Sequence, residues 1–467
     1  MTENKQEETM VEQSAMSQAS LWRAEAKSLL ALGIPMALTQ LIQYSINTID
    51  VLMIGRLGAE ALAGSSLGLV IFYATFLFGI GPAMAVTPMV SQALGADETN
   101  IKDARRSVRM GLWALVLGFP FVLLVYFSAT DIALALGQPE IVARLAGPYV
   151  LALAPGWLFM LGVIVLRNFL AAIERTRAPL IIIIITTLIN VILNYLLIFG
   201  SWGFPRLELV GAGIASSLSH MIGFFLLVGY IKWDQRARRF DLFTRIIKLD
   251  FERLREVFRL GWPISVTMGF EVLLFNAAVF IVGRIGVDEL AAYHVAINFA
   301  ALAFMAPLGL SMAGATRVGL AKGANDQSGV VRAAVVSILM CIAMISLFAI
   351  PIAIAPIQVA SVYLDPRDPN NLVVIGLAAS FLPIAAGFML FDAVQVAANQ
   401  CLRGLKDVNV PMALTAFSYW VIGFPIAYWL ALHTPLGAVG VWWGLLFSLA
   451  AASFLLGGRL FFVLRRQ

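Results

Sequence analysis

The chain has 467 residues, 60% of them hydrophobic and 13% charged, about half the charge of an ordinary soluble domain. This balance excludes a large soluble domain, and the net charge of +5 need not mean nucleic acid if its distribution follows a membrane. Cys341 and Cys401 sit in or beside apolar stretches with no metal or disulfide spacing and read as small buried hydrophobes.

The first residues carry Glu3, Glu7, Glu8 and Glu12 and lack the basic region and apolar core of a cleaved signal. Residues 1–27 are expected to be a disordered tail. Twelve apolar stretches follow, at roughly 28–54, 61–88, 110–130, 142–166, 178–200, 209–231, 260–283, 290–316, 333–355, 372–398, 411–431 and 436–458. Each is long enough to cross a bilayer, since ~20 residues at 1.5 Å rise cover ~30 Å of hydrocarbon.

The fold class expected is an all-α polytopic membrane protein with six helices in each of two bundles, 28–231 and 260–458. A linker at 232–259 and a basic tail at 459–467 complete the chain. In the linker, Phe240, Phe243, Ile247, Phe251, Leu254 and Phe258 recur at helical spacing among arginines and lysines, which suggests a helix lying in the membrane interface.

An internal repeat organises the two bundles. Leu32-Gly33-Ile34-Pro35 returns as Leu260-Gly261-Trp262-Pro263, 228 residues later. At the same offset Gly55-Arg56-Leu57-Gly58 meets Gly283-Arg284-Ile285-Gly286, and Gly95-Ala96 meets Gly323-Ala324. Pro179 and Pro411 correspond at 232. Six intervening helices keep the copies parallel, so a pseudo-two-fold axis along the membrane normal relates them, a plan used by transporters with a site between their halves. Of the 32 lysines and arginines, only Arg56, Arg144, Arg206, Arg284 and Arg367 fall on one side of this arrangement. Both termini and the linker are therefore expected in the cytoplasm.

Three acids lie inside apolar stretches, where a carboxylate costs roughly 2.5–3.5 kcal/mol and marks a functional position by default. Glu271 stands alone in the seventh stretch, opposite Gln43 in the repeat; Asp50 falls opposite Ala278, and Asp392 opposite Met160. Acids needed for two-fold packing would occur in both copies. Asn190 and Asn194 share a face of the fifth helix and could join Asp50 in an oxygen-rich nest for a proton or a hard cation such as Na⁺. Asp392, Gln395 and Asn399 form one polar stripe on the tenth helix. Glu271 and Asp392 could share one proton, or one bound Na⁺ instead. Acidic walls attract cationic solutes. Pro35 could bend the helix that carries Asp50. No P-loop, GxSxG or HExxH pattern occurs, so neither an enzyme nor a cofactor beyond the coupling ion is expected.

Asn47-Thr48-Ile49-Asp50 followed by Ile54-Gly55, the mid-helix Glu271, and Asp392-Ala393-Val394-Gln395 leading into Cys401-Leu402-Arg403-Gly404 resemble the multidrug and toxic compound extrusion (MATE) transporters, in particular the bacterial NorM-type branch. The resemblance covers about residues 25–460. It implies export of bulky organic cations across the bacterial inner membrane in exchange for Na⁺ or H⁺, by a chain expected to act as a monomer among membrane lipids. Glu271 and Asp392 would form the cation site of the second bundle, and Asp50 with Asn190 and Asn194 the polar site of the first. Several relatives carry a tyrosine one turn before the Asp of the tenth helix, where this chain has Phe388. The alternative is a flippase for lipid-linked oligosaccharides of the same superfamily, which would want basic cavity walls.

Overall fold

The computed structural model describes residues 18–97, 99–369 and 371–466. Among them, twelve helices are long and apolar enough to cross a membrane. In chain order they are α1 (Gln18–Gly55), α2 (Ala59–Ala96), α3 (Ile101–Phe127), α4 (Ala154–Ala172), α5 (Arg177–Phe199), α6 (Glu208–Trp233), α7 (Phe251–Gly283), α8 (Val287–Gly323), α9 (Gln327–Ile354), α10 (Asn371–Gly404), α11 (Asn409–Leu432) and α12 (Ala438–Arg465). The chain is a multi-pass membrane protein.

Many of these helices outrun the apolar stretches at the face that carries most of the arginines and lysines, called here the basic face. α1 begins at Gln18, α3 at Ile101 and α7 at Phe251. Hydropathy falls where charge begins, but backbone hydrogen bonding continues until a cap interrupts it. This corrects two expectations. Residues 18–27 are the first turns of α1, not a disordered tail; residues 1–17 lie outside the described residues. The linker holds no separate interfacial helix. Asp234 caps a four-residue turn of helix, and Asp250 caps α7 by accepting from the Arg253 amide at 3.2 Å. Between them, Asp241 and Arg245 adopt positive φ. Phe251, Leu254 and Phe258 owe their spacing to the opening turns of α7, whereas Phe240 is buried against Phe169, ring centroids 5.1 Å apart.

The fourth stretch is divided too. Helix Glu140–Ala152 ends at Leu153 and α4 restarts at Ala154, the break falling between Pro148 and Pro155, where prolines remove backbone donors. Each half of the chain builds its own apolar core, one around Tyr126, Trp157 and Phe169, the other around Tyr293, Phe381, Tyr419 and Trp442.

The halves meet through glycines, and their contacts obey the repeat. A Cβ on Gly95 (α2) would strike the Leu320 carbonyl (α8), and one on Gly323 (α8) would strike the carbonyl of Gln92 (α2). Adding 228 to 95 and 92 gives 323 and 320, so each contact is the two-fold image of the other. Gly81 likewise lies against Gly261, and its counterpart Gly309 against Ala37. Small residues at these crossings let backbones approach, the usual device for joining helices in lipid.

Candidate functional site

Every hydrogen bond and ion pair between the halves among the described residues lies in the basic half of the molecule. Gly81 N–H donates to Ser265 Oγ at 3.2 Å, and Gln92 Nε2 to the Gly404 carbonyl at 2.8 Å. At the basic face Arg317 of α8 donates to both carboxylate oxygens of Glu25 on α1, Nε to Oε1 at 2.8 Å and Nη2 to Oε2 at 2.7 Å. Its Nη1 reaches Glu174, just past α4, at 3.4 Å. A cavity of about 660 Å³ lies beside these three side chains. No such links hold the opposite halves of the same helices, so the cleft between the bundles is closed at the basic face and unfastened at the other.

Asp50, Asn190 and Asn194 come together as the sequence suggested. Asn194 Nδ2 donates to Asp50 Oδ1 at 2.6 Å and to Asn190 Oδ1 at 3.2 Å. Ser216 of α6, which the sequence reading missed, donates to Asp50 Oδ2 at 3.3 Å. Asn194 Oδ1 is buried without a partner, leaving an acceptor beside the carboxylate. The nest is rich in oxygen, as a proton or a hard cation requires. Asn47, one turn before Asp50, donates to the Tyr73 hydroxyl at 3.0 Å.

Glu271 and Asp392 sit on facing helices of the second half. Each lies one turn from an aromatic residue of the same helix, Phe275 and Phe388, whose rings meet edge to face at 6.0 Å. Both phenylalanines lie on the side of the acids away from the basic face, and Trp442 extends the cluster, 5.8 Å from Phe388. Asp392 is buried and its Oδ1 has no partner. Glu271 is half-buried and close enough for its charge to act on Asp392. Gln395 and Asn399 are buried along the same helix but hydrogen-bond neither acid.

Tyr419 places a buried hydroxyl group in this half of the molecule. It lies in a π-helical segment, Phe417–Gly423, inside α11. The wider turn meets Ser448 of α12, whose hydroxyl donates to the Ser418 carbonyl at 3.3 Å. Tyr419 is fully buried, its hydroxyl has no partner, and the charges of both Glu271 and Asp392 act on it. Such bulges recur at functional sites because they redirect one side chain without ending the helix. The stretch 411–431 also holds Thr415, Ser418 and Tyr428, so the sequence does not single out Tyr419.

The two halves carry the same family pattern. The MatE family model matches residues 35–196 and again 263–429, the two matches opening at the repeat-related Pro35 and Pro263. The chain belongs to the MatE family. Among MATE relatives it is 42% identical over 450 residues to the "Probable multidrug resistance protein NorM" of Rhizobium meliloti (strain 1021), covering 95% of both chains. To the protein of the same name in Mesorhizobium japonicum it is 38% identical, covering 96% of each. Its fold matches a crystallised MATE protein in complex with MaL6 at a TM-score of 0.86 with 19% identity, over 95% of this chain and 98% of that one. It also matches the outward-facing conformation of a multidrug resistance MATE family transporter at 0.85 with 19% identity, over 95% and 96%.

Proposed function

We propose that this protein is a secondary active exporter that exchanges Na⁺ or H⁺ for bulky organic cations across the bacterial inner membrane. The names of its relatives support multidrug efflux. The observation that carries the exchange is the Glu271–Asp392 pair, with an unpartnered Asp392 Oδ1 and the unpartnered Tyr419 hydroxyl beside it. Two neighbouring carboxylates in low dielectric repel unless a positive charge joins them. A proton or Na⁺ satisfies them, and so does a drug cation, so the two ligands compete. Asp50 offers the first half a second such site.

The positive-inside rule puts the basic face and both termini in the cytoplasm. The closed Glu25–Arg317–Glu174 end is then the inner gate, and the conformation described faces outward. The coupling ion enters from outside, neutralises the acids and releases the drug. Closure of the outer cleft and parting of the inner gate then return the carboxylates to the cytoplasm. Each chain carries both bundles and acts as a monomer in lipid.

The test is ethidium export in proteoliposomes under an imposed Na⁺ gradient and, separately, an imposed pH gradient. One gradient should drive export by the wild type, and neither should drive Glu271→Gln or Asp392→Asn. Export by Glu271→Gln at the wild-type rate would refute the reading. A wild type indifferent to both gradients would favour the lipid-linked oligosaccharide flippase.

A further inference from the structure

The first bundle contains a buried cation that its acids do not balance. Arg167 sits on α4, 8% exposed. Its position near the end of an apolar stretch reads from sequence as a loop arginine, but the side chain turns into the bundle. Nη1 donates to Gln40 Oε1 at 2.9 Å and to Gln43 Oε1 at 3.4 Å, both on α1. Nε is buried without a partner, and no carboxylate of the described residues pairs with this guanidinium. A guanidinium in a low-dielectric interior is costly unless a countercharge reaches it.

Arg167 lines a cavity of about 40 Å³ bounded by residues of α1, α4, α5 and α6. One water needs roughly 10–15 Å³ on such a measure, so a halide ion fits. Two donor groups at the cavity lining are left free, Arg167 Nε and the Asn190 amide. Asn190 also lines it; its Oδ1 is taken by Asn194, which leaves its amide N–H groups available. The Gln43 oxygen is engaged by Arg167; the Thr39 and Thr186 hydroxyls donate to carbonyls of their own helices and keep only acceptor lone pairs. His220 also lines the cavity; its Nδ1–H donates to the Ser216 carbonyl at 2.7 Å, which leaves Nε2 of the neutral ring an acceptor.

The repeat sharpens the contrast. Gln43 corresponds to Glu271 at the offset of 228, and Arg167 to Asn399 at 232. At these positions the first bundle hydrogen-bonds a cation to an amide, whereas in the second Glu271 and Asn399 share no hydrogen bond and the cation acting on Glu271 is Arg403, one turn on from Asn399.

We propose that this cavity is an anion site, in which a small monovalent anion such as chloride binds Arg167 and Asn190 as the resident countercharge of the first bundle. The proposal does not depend on the exchange reading, because occupancy can be measured without transport. A ligand that binds the folded state alone raises the thermal midpoint as it saturates.

The experiment follows the thermal midpoint of the purified protein in detergent as NaCl replaces sodium gluconate at constant Na⁺ and pH. The wild type should show a saturable upward shift with chloride and with bromide. Arg167→Gln should lose that shift. Gln43→Glu places a carboxylate beside the guanidinium, so its midpoint should already be raised in gluconate and should not respond to halide. If one variant fails to fold, the other decides. A wild-type midpoint that is the same in chloride and gluconate means that the cavity holds water alone, and overturns the proposal. So does a halide shift that survives in either folded variant, because the anion then binds elsewhere.

Discussion

At the scale of single residues, the proposed exchange divides the work of the second-bundle site between charge and hydroxyl. Glu271→Gln keeps the shape of the side chain and removes the charge, so it should abolish gradient-driven transport while leaving the helices packed. Tyr419→Phe makes a smaller change. If the Tyr419 hydroxyl ligates the coupling cation, its loss should weaken ion affinity about 2–10-fold, the equivalent of ~0.5–1.5 kcal/mol. The ion-free protein should be no less stable, because that buried hydroxyl has no partner to lose. Ion titration of wild type and variant by intrinsic fluorescence separates the two effects; unchanged affinity would remove Tyr419 from the site. Outside the membrane, a hydrogen bond from Arg106 holds the Asp250 carboxyl below the usual carboxylate range. A lowered carboxyl stabilises the fold above its unfolded pKa, about 3.9, and loses that contribution as pH falls through the lower folded value. The thermal midpoints of wild type and Asp250→Asn should therefore differ at neutral pH and converge below about pH 4; a difference that persisted in acid would contradict this assignment.

At the scale of helices, hydropathy reported where lipid begins and ends, but not where helices do. Twelve crossings were legible, as were the acids within them, because a carboxylate among twenty apolar residues has few structural explanations. Helix ends were not legible, because the turns that protrude at the basic face are polar and depend on caps such as Asp250. Tyr419 was hidden for a related reason: a π-helical turn depends on how α11 packs on α12, which has no local signature. Arg167 was misplaced because its short distance from the end of α4 resembles a loop position. The glycine crossings, in contrast, follow from the repeat once Gly33 and Gly261 are aligned. Gly261 packs against the Gly81–Pro82 backbone, so Gly261→Val should push α7 from α2 and loosen the closed end. Limited proteolysis at the basic face would show faster cleavage; a rate equal to wild type would mean that the crossing does not hold the bundles together.

At the scale of the whole molecule, the proposed exchange has two bundles trade one fastened end for another. Arg317 fastens the basic end through one bidentate and one single ion pair, partly shielded from solvent. Losing a charge-assisted hydrogen bond of this kind costs about 1.5–3 kcal/mol. Arg317→Ala should therefore shift the conformational equilibrium roughly 10–100-fold away from the outward-open form. Spin labels at the exposed Ala59 and Val287, at the outer ends of α2 and α8, should then report a shorter distance in the variant. An unchanged distribution would mean that the ion pairs decorate the interface without setting its state.

In the proposed exchange, coupling ion and drug compete for the same carboxylates, and equilibrium binding reads that competition without transport. Anisotropy of a fluorescent organic cation bound to the purified protein should fall as Na⁺ or H⁺ is raised. The drug should shift the apparent ion affinity by the same factor, because linkage is reciprocal. In Glu271→Gln and Asp392→Asn that mutual displacement should vanish or weaken sharply. Drug and ion bound together, with neither altering the affinity for the other, would rule out competition at these carboxylates.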